Sequence, residues 1–131
     1  MIKDCDFEIL KGKTLITIEG GIGDYEMIFT TIDGKQYSLY HDQDWCESCD
    51  VVDIVGDLQD LIGNPLLMAE EITNEGDVNP EGVDVPEYQD SFTWTFYKLG
   101  TRKGSVTIRW YGESNGYYSE SVSFGEVRCD I

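Results

Sequence analysis

No lysine or arginine occurs in the 62 residues from Gln36 to Tyr97, although this stretch carries 15 Asp or Glu side chains. The flanking segments are closer to balance. Residues 1–35 include 4 basic and 7 acidic side chains, and residues 98–131 include 5 basic and 4 acidic side chains. The formal net charge is −17. A field of one sign repels nucleic acid and anionic membranes and attracts cations or basic surfaces. We therefore expect no direct nucleic-acid binding and favour a partner protein with a basic surface.

Long apolar runs are also missing. No stretch approaches the roughly 18 consecutive apolar residues of a membrane-spanning helix, and no apolar signal region follows Lys3. These absences predict a cytoplasmic protein without membrane contact, whose 4 cysteines stay reduced. A chain of 131 residues, 40% hydrophobic, is long enough for one core, so we expect a single compact acidic domain over residues 1–131.

The clearest local signal is a β-hairpin. Tyr25–Ile32 and Lys35–Tyr40 are rich in β-branched and aromatic residues, and Asp33-Gly34 lies between them. This dipeptide favours a type I′ turn, which needs positive φ at both central residues. Another strand is predicted at Thr14–Glu19.

The apolar period then changes to one typical of a helix. Gly63-Asn64-Pro65 is a strong stop signal, so the spacing predicts one short helix over residues 50–62. The apolar positions that carry this prediction are Val51, Ile54, Val55, Leu58, Leu61 and Ile62. A strand at 66–73 would follow.

Residues 74–87 read as a loop, since they hold two Gly, two Pro and five acidic residues. A loop of this length is typically mobile or functional. Beyond it, alternation predicts strands at 91–99, 105–111 and 117–124. The expected fold is mainly β (α+β): an antiparallel sheet with an N-terminal hairpin, one short inserted helix and a C-terminal three-stranded meander.

The predicted helix would hold carboxylates in fixed positions, so the acidic face is the first candidate site for a basic partner. Its members share the region that joins the hairpin to the helix and the polar side of that helix. They are Asp42, Asp44, Glu47, Asp50, Asp53, Asp57 and Asp60.

Cysteine spacing suggests a second, weaker site. Cys46-x-x-Cys49 has the spacing of zinc ligands, and Cys5 and Cys129 would complete a four-cysteine site if the termini meet. Structural zinc sites normally supply their second pair at similarly close spacing, so buried thiols acting as small apolar side chains are the favoured interpretation. A redox role is disfavoured because the acidic residues beside Cys46 and Cys49 would raise a thiol pKa.

Other cofactors and catalytic groups have little support. Asp42, Asp44 and Glu47 could bind a hard cation adventitiously, but the glycine-centred spacing of an EF-hand is missing. A single histidine does not indicate a catalytic triad, and no phosphate-binding glycine motif is present. We expect no cofactor and no catalysis.

The C-terminal third offers an alternative site for a nucleotide. Arginines can hold phosphate, and aromatic rings can stack on a base. The competing interpretation is that Lys98, Arg102 and Lys103 are turn residues and that Arg109 pairs with neighbouring acids. The nucleotide hypothesis uses His41, Trp45, Arg102, Arg109, Trp110, Asn115, Tyr117 and Tyr118.

Several motifs together resemble a family of small uncharacterised proteins of bacteriophages and prophages. They are His41-x-Gln43-Asp44-x-Cys46-Glu47-Ser48, Gly56-Asp57-Leu58-x-Asp60-Leu61-Ile62-Gly63, Met68-Ala69-Glu70-Glu71 and the run from Arg109 to Ser119. The similarity covers roughly residues 9–124. An apolar residue often stands in such proteins where this chain has Cys49, which weakens the zinc hypothesis.

The resemblance implies a phage context but no mechanism. Small acidic phage proteins without catalytic motifs often bind a host component. The leading hypothesis is therefore a non-catalytic accessory protein that binds and inhibits a host factor, in particular a bacterial antiviral defence component. The main alternative is a sponge, which would be a small homo-oligomer that sequesters a nucleotide immune signal. A metal-binding protein is the lesser alternative.

Overall fold

The computed structural model describes residues 2–41, 48–75, 91–114 and 122–128, and it confirms a mainly β fold. The strands are β1 (Ile2–Asp4), β2 (Leu15–Glu19), β3 (Glu26–Thr31), β4 (Gln36–Tyr40), β5 (Ser48–Val55), β6 (Met68–Glu75), β7 (Ser91–Thr101), β8 (Gly104–Ser114) and β9 (Ser123–Val127). Two short 3₁₀ helices lie at Phe7–Leu10 and Leu58–Leu61. No helix of the described segments is long and apolar enough to cross a membrane.

The strands form two antiparallel sheets. The first has the order β1-β9-β4-β3-β2, and the second has the order β5-β8-β7-β6. Their inner faces share one apolar core, to which Phe29 and Leu39 contribute from the first sheet and Val51, Ile108 and Trp110 from the second. We call the opposite side of the second sheet, turned away from this core, its outer face.

The predicted hairpin is present as β3 and β4, paired from Glu26↔Tyr40 to Thr30↔Gln36. Its turn differs from the expected type I′. The Gly34 amide donates to the Thr31 carbonyl at 3.0 Å, and the Thr31 amide donates to the Lys35 carbonyl at 2.8 Å. Only Gly34 in this turn has a positive φ, +86°. These features fit a three-residue loop that ends in a left-handed glycine.

The predicted helix over residues 50–62 is wrong. Its first half is strand β5, and only Leu58–Leu61 form a short 3₁₀ helix. The register of β5 against β8 shifts between Val51 and Asp53. This bulge interrupts the two-residue alternation, so the apolar positions imitate a helical period. β-Branched residues then favour the strand.

The prediction of a C-terminal three-stranded meander is only partly confirmed. β7 and β8 form a hairpin from Ser91↔Ser114 to Thr101↔Gly104. The third strand is β9, which begins later than predicted and pairs with β1 and β4 in the other sheet. The predicted loop at 74–87 lies outside the described residues, except for Asn74 and Glu75, whose backbone belongs to β6.

Gly56 shows why a helix cannot continue past β5. Its φ is +107°, and a Cβ there would lie 2.5 Å from the Ser105 carbonyl oxygen of the neighbouring strand. By contrast, a Cβ at Gly21 would meet no atom within 4 Å.

Gly56→Ala is therefore expected to destabilise the fold by about 3 kcal/mol, since it combines backbone strain with a clash against main chain. Gly21→Ala is the matched control and should change stability by less than about 0.5 kcal/mol. Urea unfolding followed by tryptophan fluorescence measures both. Equal unfolding midpoints for the two variants would contradict the assigned conformation of Gly56.

Candidate functional site

The acidic face expected on a helix is dispersed. Asp50 and Asp53 pair with Tyr111 and Arg109 of β8. Trp110, between these two residues, points into the core, so Tyr111, Arg109 and their partners lie on the outer face. The Asp57 carboxylate caps the second 3₁₀ helix by accepting a hydrogen bond from the Gln59 amide at 2.9 Å. These residues therefore do not form one continuous acidic surface.

The remaining members of that face have other positions. Asp60 belongs to the second 3₁₀ helix, and its carbonyl accepts a hydrogen bond from the Thr101 hydroxyl. Asp42, Asp44 and Glu47 lie outside the described residues. Their part in a partner site stays a prediction.

Arg109 pairs with an acid, as the competing interpretation of the basic residues predicted. Its Nη1 lies 3.3 Å from Oδ2 of Asp53 across the β5–β8 pair. Arg102 and Lys103 are exposed in the two-residue connection between β7 and β8, so they are turn residues. Lys98 is a strand residue of β7, which corrects its assignment to a turn.

The predicted nucleotide pocket is not assembled as proposed. Trp110 is fully buried in the core, and Arg109, the preceding residue of the same strand, points to the outer face. His41 is only 4% exposed. The other proposed members, Trp45, Asn115, Tyr117 and Tyr118, lie outside the described residues.

The zinc hypothesis gains no support from the two described cysteines. Cys49 is buried in the core on β5, whereas the partly exposed Cys5 follows β1. Cys46 and Cys129 lie outside the described residues. Among the residues that the structure does describe, no three His, Cys, Asp or Glu side chains are grouped so that they could hold a metal ion.

A site that the sequence did not indicate lies where the N-terminal segment meets β6 and β9. It is an open cavity of about 520 Å³, which we call the acidic cavity. Four carboxylates line it, and no lysine or arginine is among the lining residues. The lining is Asp4, Cys5, Asp6, Phe7, Glu8, Glu71, Val122, Ser123 and Phe124.

Local structure explains this arrangement. The Cys5 amide donates to the Phe124 carbonyl at 3.1 Å, which ties the end of β1 to β9. The Phe7 ring is buried, with its centroid 4.7 Å from that of Tyr97 and 5.1 Å from that of Phe124. Because Phe7 is held inward, its neighbours Asp6 and Glu8 are left exposed. Glu71 approaches from β6, directly opposite Tyr97 in β7.

The electrostatics of the acidic cavity appear in the acid–base behaviour of two groups. Burial raises the pKa of the Cys5 thiol, and the nearby carboxylates of Glu126, Asp6 and Asp4 raise this pKa further. Burial also raises the pKa of the Tyr97 hydroxyl far above its usual range, and the charge of Glu71 adds to this effect. Beside burial, the carboxylate charges therefore disfavour additional negative charge at these two groups.

Sequence reasoning missed the acidic cavity because its carboxylates are far apart in the chain. The sequence did offer one signal, which is that acidic residues alternate with other residues from Asp4 to Glu8. If Phe7 points inward, Asp6 and Glu8 on either side of it are exposed. The approach of Glu71 depends on how the two sheets pack, which local patterns do not report.

Comparison with known proteins identifies a family of unknown function. A family model described as Domain of unknown function (DUF7448) matches residues 8–124. No curated protein and no solved structure matches the chain.

The raised pKa of Cys5 is open to measurement. Alkylation of Cys5 by iodoacetamide, followed by mass spectrometry of its peptide, should have its pH midpoint above that of a model thiol, since the thiolate is the reactive form. Asp4→Asn/Asp6→Asn should shift this midpoint down, because two negative charges are removed. Asp24→Asn/Asp33→Asn, at residues that do not line the cavity, is the control. An equal shift in both double variants would contradict a local effect.

Proposed function

Since the chain belongs to the DUF7448 family, a family without a described activity, we propose from its charge and geometry that it is a non-catalytic binding protein for a basic protein partner. The resemblance to phage and prophage proteins extends the proposal. The partner is a host factor, in particular an antiviral defence component, which the bound protein inhibits in the bacterial cytoplasm.

The observation that carries the proposal is the acidic cavity within a chain of net charge −17. The overall field accelerates the approach of a basic surface from a distance, and local carboxylates then select its orientation. The largely buried rings of Phe7 and Phe124 are also among the lining residues of the cavity. An arginine or lysine side chain fits this combination, since its aliphatic stem packs on apolar surface while its charged end reaches carboxylates.

Salt dependence provides the test. The tagged protein is used to capture partners from bacterial lysate at about 50 mM NaCl, and polyglutamate on the same resin serves as the control for charge without a fold. We expect specifically captured proteins to be basic, with a pI above about 9. Their affinity, measured with purified components, should fall roughly tenfold or more by about 200 mM NaCl because exposed charges are screened. Capture of acidic partners, or salt-independent affinity, would contradict the proposal.

A second candidate function, the nucleotide sponge, rests on Arg109. Its Nε is buried and has no hydrogen-bond partner among the residues that the structure describes, although Nη1 contacts Asp53. Phe96, opposite Arg109 in β7, places an aromatic ring on the same outer face. A guanidinium with unused donor capacity next to an aromatic ring is a feature suited to a phosphorylated, planar ligand.

This candidate predicts ligand-dependent stability. A cyclic dinucleotide at 100 times its dissociation constant should stabilise the fold by about 2.7 kcal/mol, measured by thermal or urea unfolding. Arg109→Lys should remove most of this gain, because lysine cannot bind phosphate through two donors in a fork. Arg128→Lys, at an exposed position that the nucleotide hypothesis does not use, is the matched control. An absence of stabilisation by cyclic mono- and dinucleotides would eliminate the sponge.

A further inference from the structure

The four sheet edges of the described structure are protected unequally. β1 is only three residues long. β2 contains a register shift between Leu15 and Thr17, and Leu15 also bridges to Ile62. Short edge strands, bulges and covering segments all obstruct the addition of another strand.

The edge formed by β5 is also closed in part. Its register shifts near Val51, and the backbone of Val51 hydrogen-bonds outward to the connection between β2 and β3. The Val51 amide donates to the Asp24 carbonyl at 2.9 Å, and the Gly23 amide donates to the Val51 carbonyl at 2.7 Å.

β6 has none of these protections among the described residues. It is eight residues long, contains no proline, lysine or arginine, and keeps one register against β7 from Met68↔Gly100 to Glu75↔Thr93. The first 3₁₀ helix contributes Glu8 beside Met68 and Glu70, which partly shields the beginning of the strand. Beyond that point, Glu71, Ile72 and Thr73 are consecutive exposed residues, so both sides of the strand are open there.

The open part of β6 adjoins the acidic cavity at one residue. Glu71 belongs to both, and the carboxylates of Asp4, Asp6 and Glu8 line the same cavity. An added strand would hydrogen-bond to the alternate outward amides and carbonyls of β6, and its own side chains would alternate between the two faces. Every second side chain would therefore be directed toward the side on which Glu71 lies.

We propose that the β6 edge and the acidic cavity together bind an extended, basic segment of a partner protein by strand addition. Backbone hydrogen bonds to β6 hold the segment, and a lysine or arginine side chain of the segment enters the cavity next to Glu71. This inference rests on the proposed function, since it specifies how the basic partner is held.

Charge argues for a basic segment and against a second copy of this chain. Antiparallel pairing of two β6 strands would bring Glu70 and Glu71 of one copy close to those of the other, and each copy carries a net charge of −17. Like charges that face each other across strands are destabilising. A segment with alternating cations reverses the sign of this interaction.

The binding test uses a capped seven-residue peptide that alternates lysine with valine, at about 50 mM NaCl. We expect saturable binding, together with slower amide hydrogen exchange in β6 and unchanged exchange in β2. The same peptide N-methylated at every residue keeps its charges but loses all of its backbone amide donors on both edges, so its binding should be lost. Equal binding of both peptides, no saturable binding of the parent peptide, or slowed exchange at β2 instead of β6 would each overturn strand addition.

The side-chain test compares Glu71→Lys with Glu19→Lys, which changes net charge equally at an exposed position on β2. We expect Glu71→Lys to weaken peptide binding roughly tenfold more than Glu19→Lys does. Glu71→Gln should have an intermediate effect, and unfolding midpoints verify that the variants are folded. Equal weakening at positions 71 and 19 would mean that only the overall field acts, which rejects this site and leaves the proposed function intact.

Two further outcomes distinguish a failure of strand addition from a failure of the proposed function. If the unaltered protein bound neither the peptide nor any basic protein from the lysate, the proposed function would be rejected as well. A protein that forms dimers by light scattering, with β6 protected from exchange in the absence of peptide, would assign this edge to a second copy and overturn the inference.

Discussion

The contact of the Phe7 ring with Tyr97 and Phe124 is the interaction on which the remaining arrangement depends. Tyr97 belongs to the second sheet and Phe124 to the first, so one side chain from the connection between β1 and β2 joins both layers. Phe7 is 4% exposed. Its burial positions the first 3₁₀ helix beside β6 and determines which of its neighbours face solvent. The acidic cavity is a direct consequence of this packing.

The distribution of charge follows from the same two-layer structure. The core that the two sheets share is apolar, so carboxylates are placed at strand edges, in turns and on outward faces. Arg109 compensates Asp53 on the outer face, and Lys35 and Arg128 approach Glu126. The lining of the acidic cavity includes no such cation. The long-range field is thus a property of the whole chain, and the acidic cavity is one place on the described surface where several carboxylates meet without a lysine or arginine among the lining residues.

Sequence patterns within a few residues correctly predicted the β3–β4 hairpin and the inward side of β8. The hairpin of β3 and β4 was predictable because β-branched strands flank Asp33-Gly34, and the alternation of β8 correctly placed Ile108 and Trp110 inside. The helix at 50–62 failed because a bulge in β5 altered the apolar spacing. The prediction that the last strand pairs with β8 was wrong. The sheet that a strand joins depends on pairing with distant strands, which alternation alone does not encode.

The candidate site was less predictable than the fold for a related reason. The acids with the most suggestive spacing, from Asp50 to Asp60, are divided among a sheet face, a helix cap and the 3₁₀ helix that follows that cap. Those that converge, such as Asp4 and Glu71, are separated by about half of the chain. Density of charge along a sequence therefore indicated the sign of the partner, but convergence in the fold was needed to indicate a place.

An open strand edge next to uncompensated carboxylates combines two interactions that differ in range. The electrostatic field acts over about a Debye length and is screened by salt, so it governs the rate of encounter more than the geometry of the complex. Backbone hydrogen bonds act only at contact, and they are indifferent to most side chains of the added strand. A site of this kind would require a basic, extended segment without requiring one particular sequence. Under the proposed function, this tolerance would let binding survive many substitutions in the partner's segment, since backbone amides and carbonyls do not depend on side-chain identity.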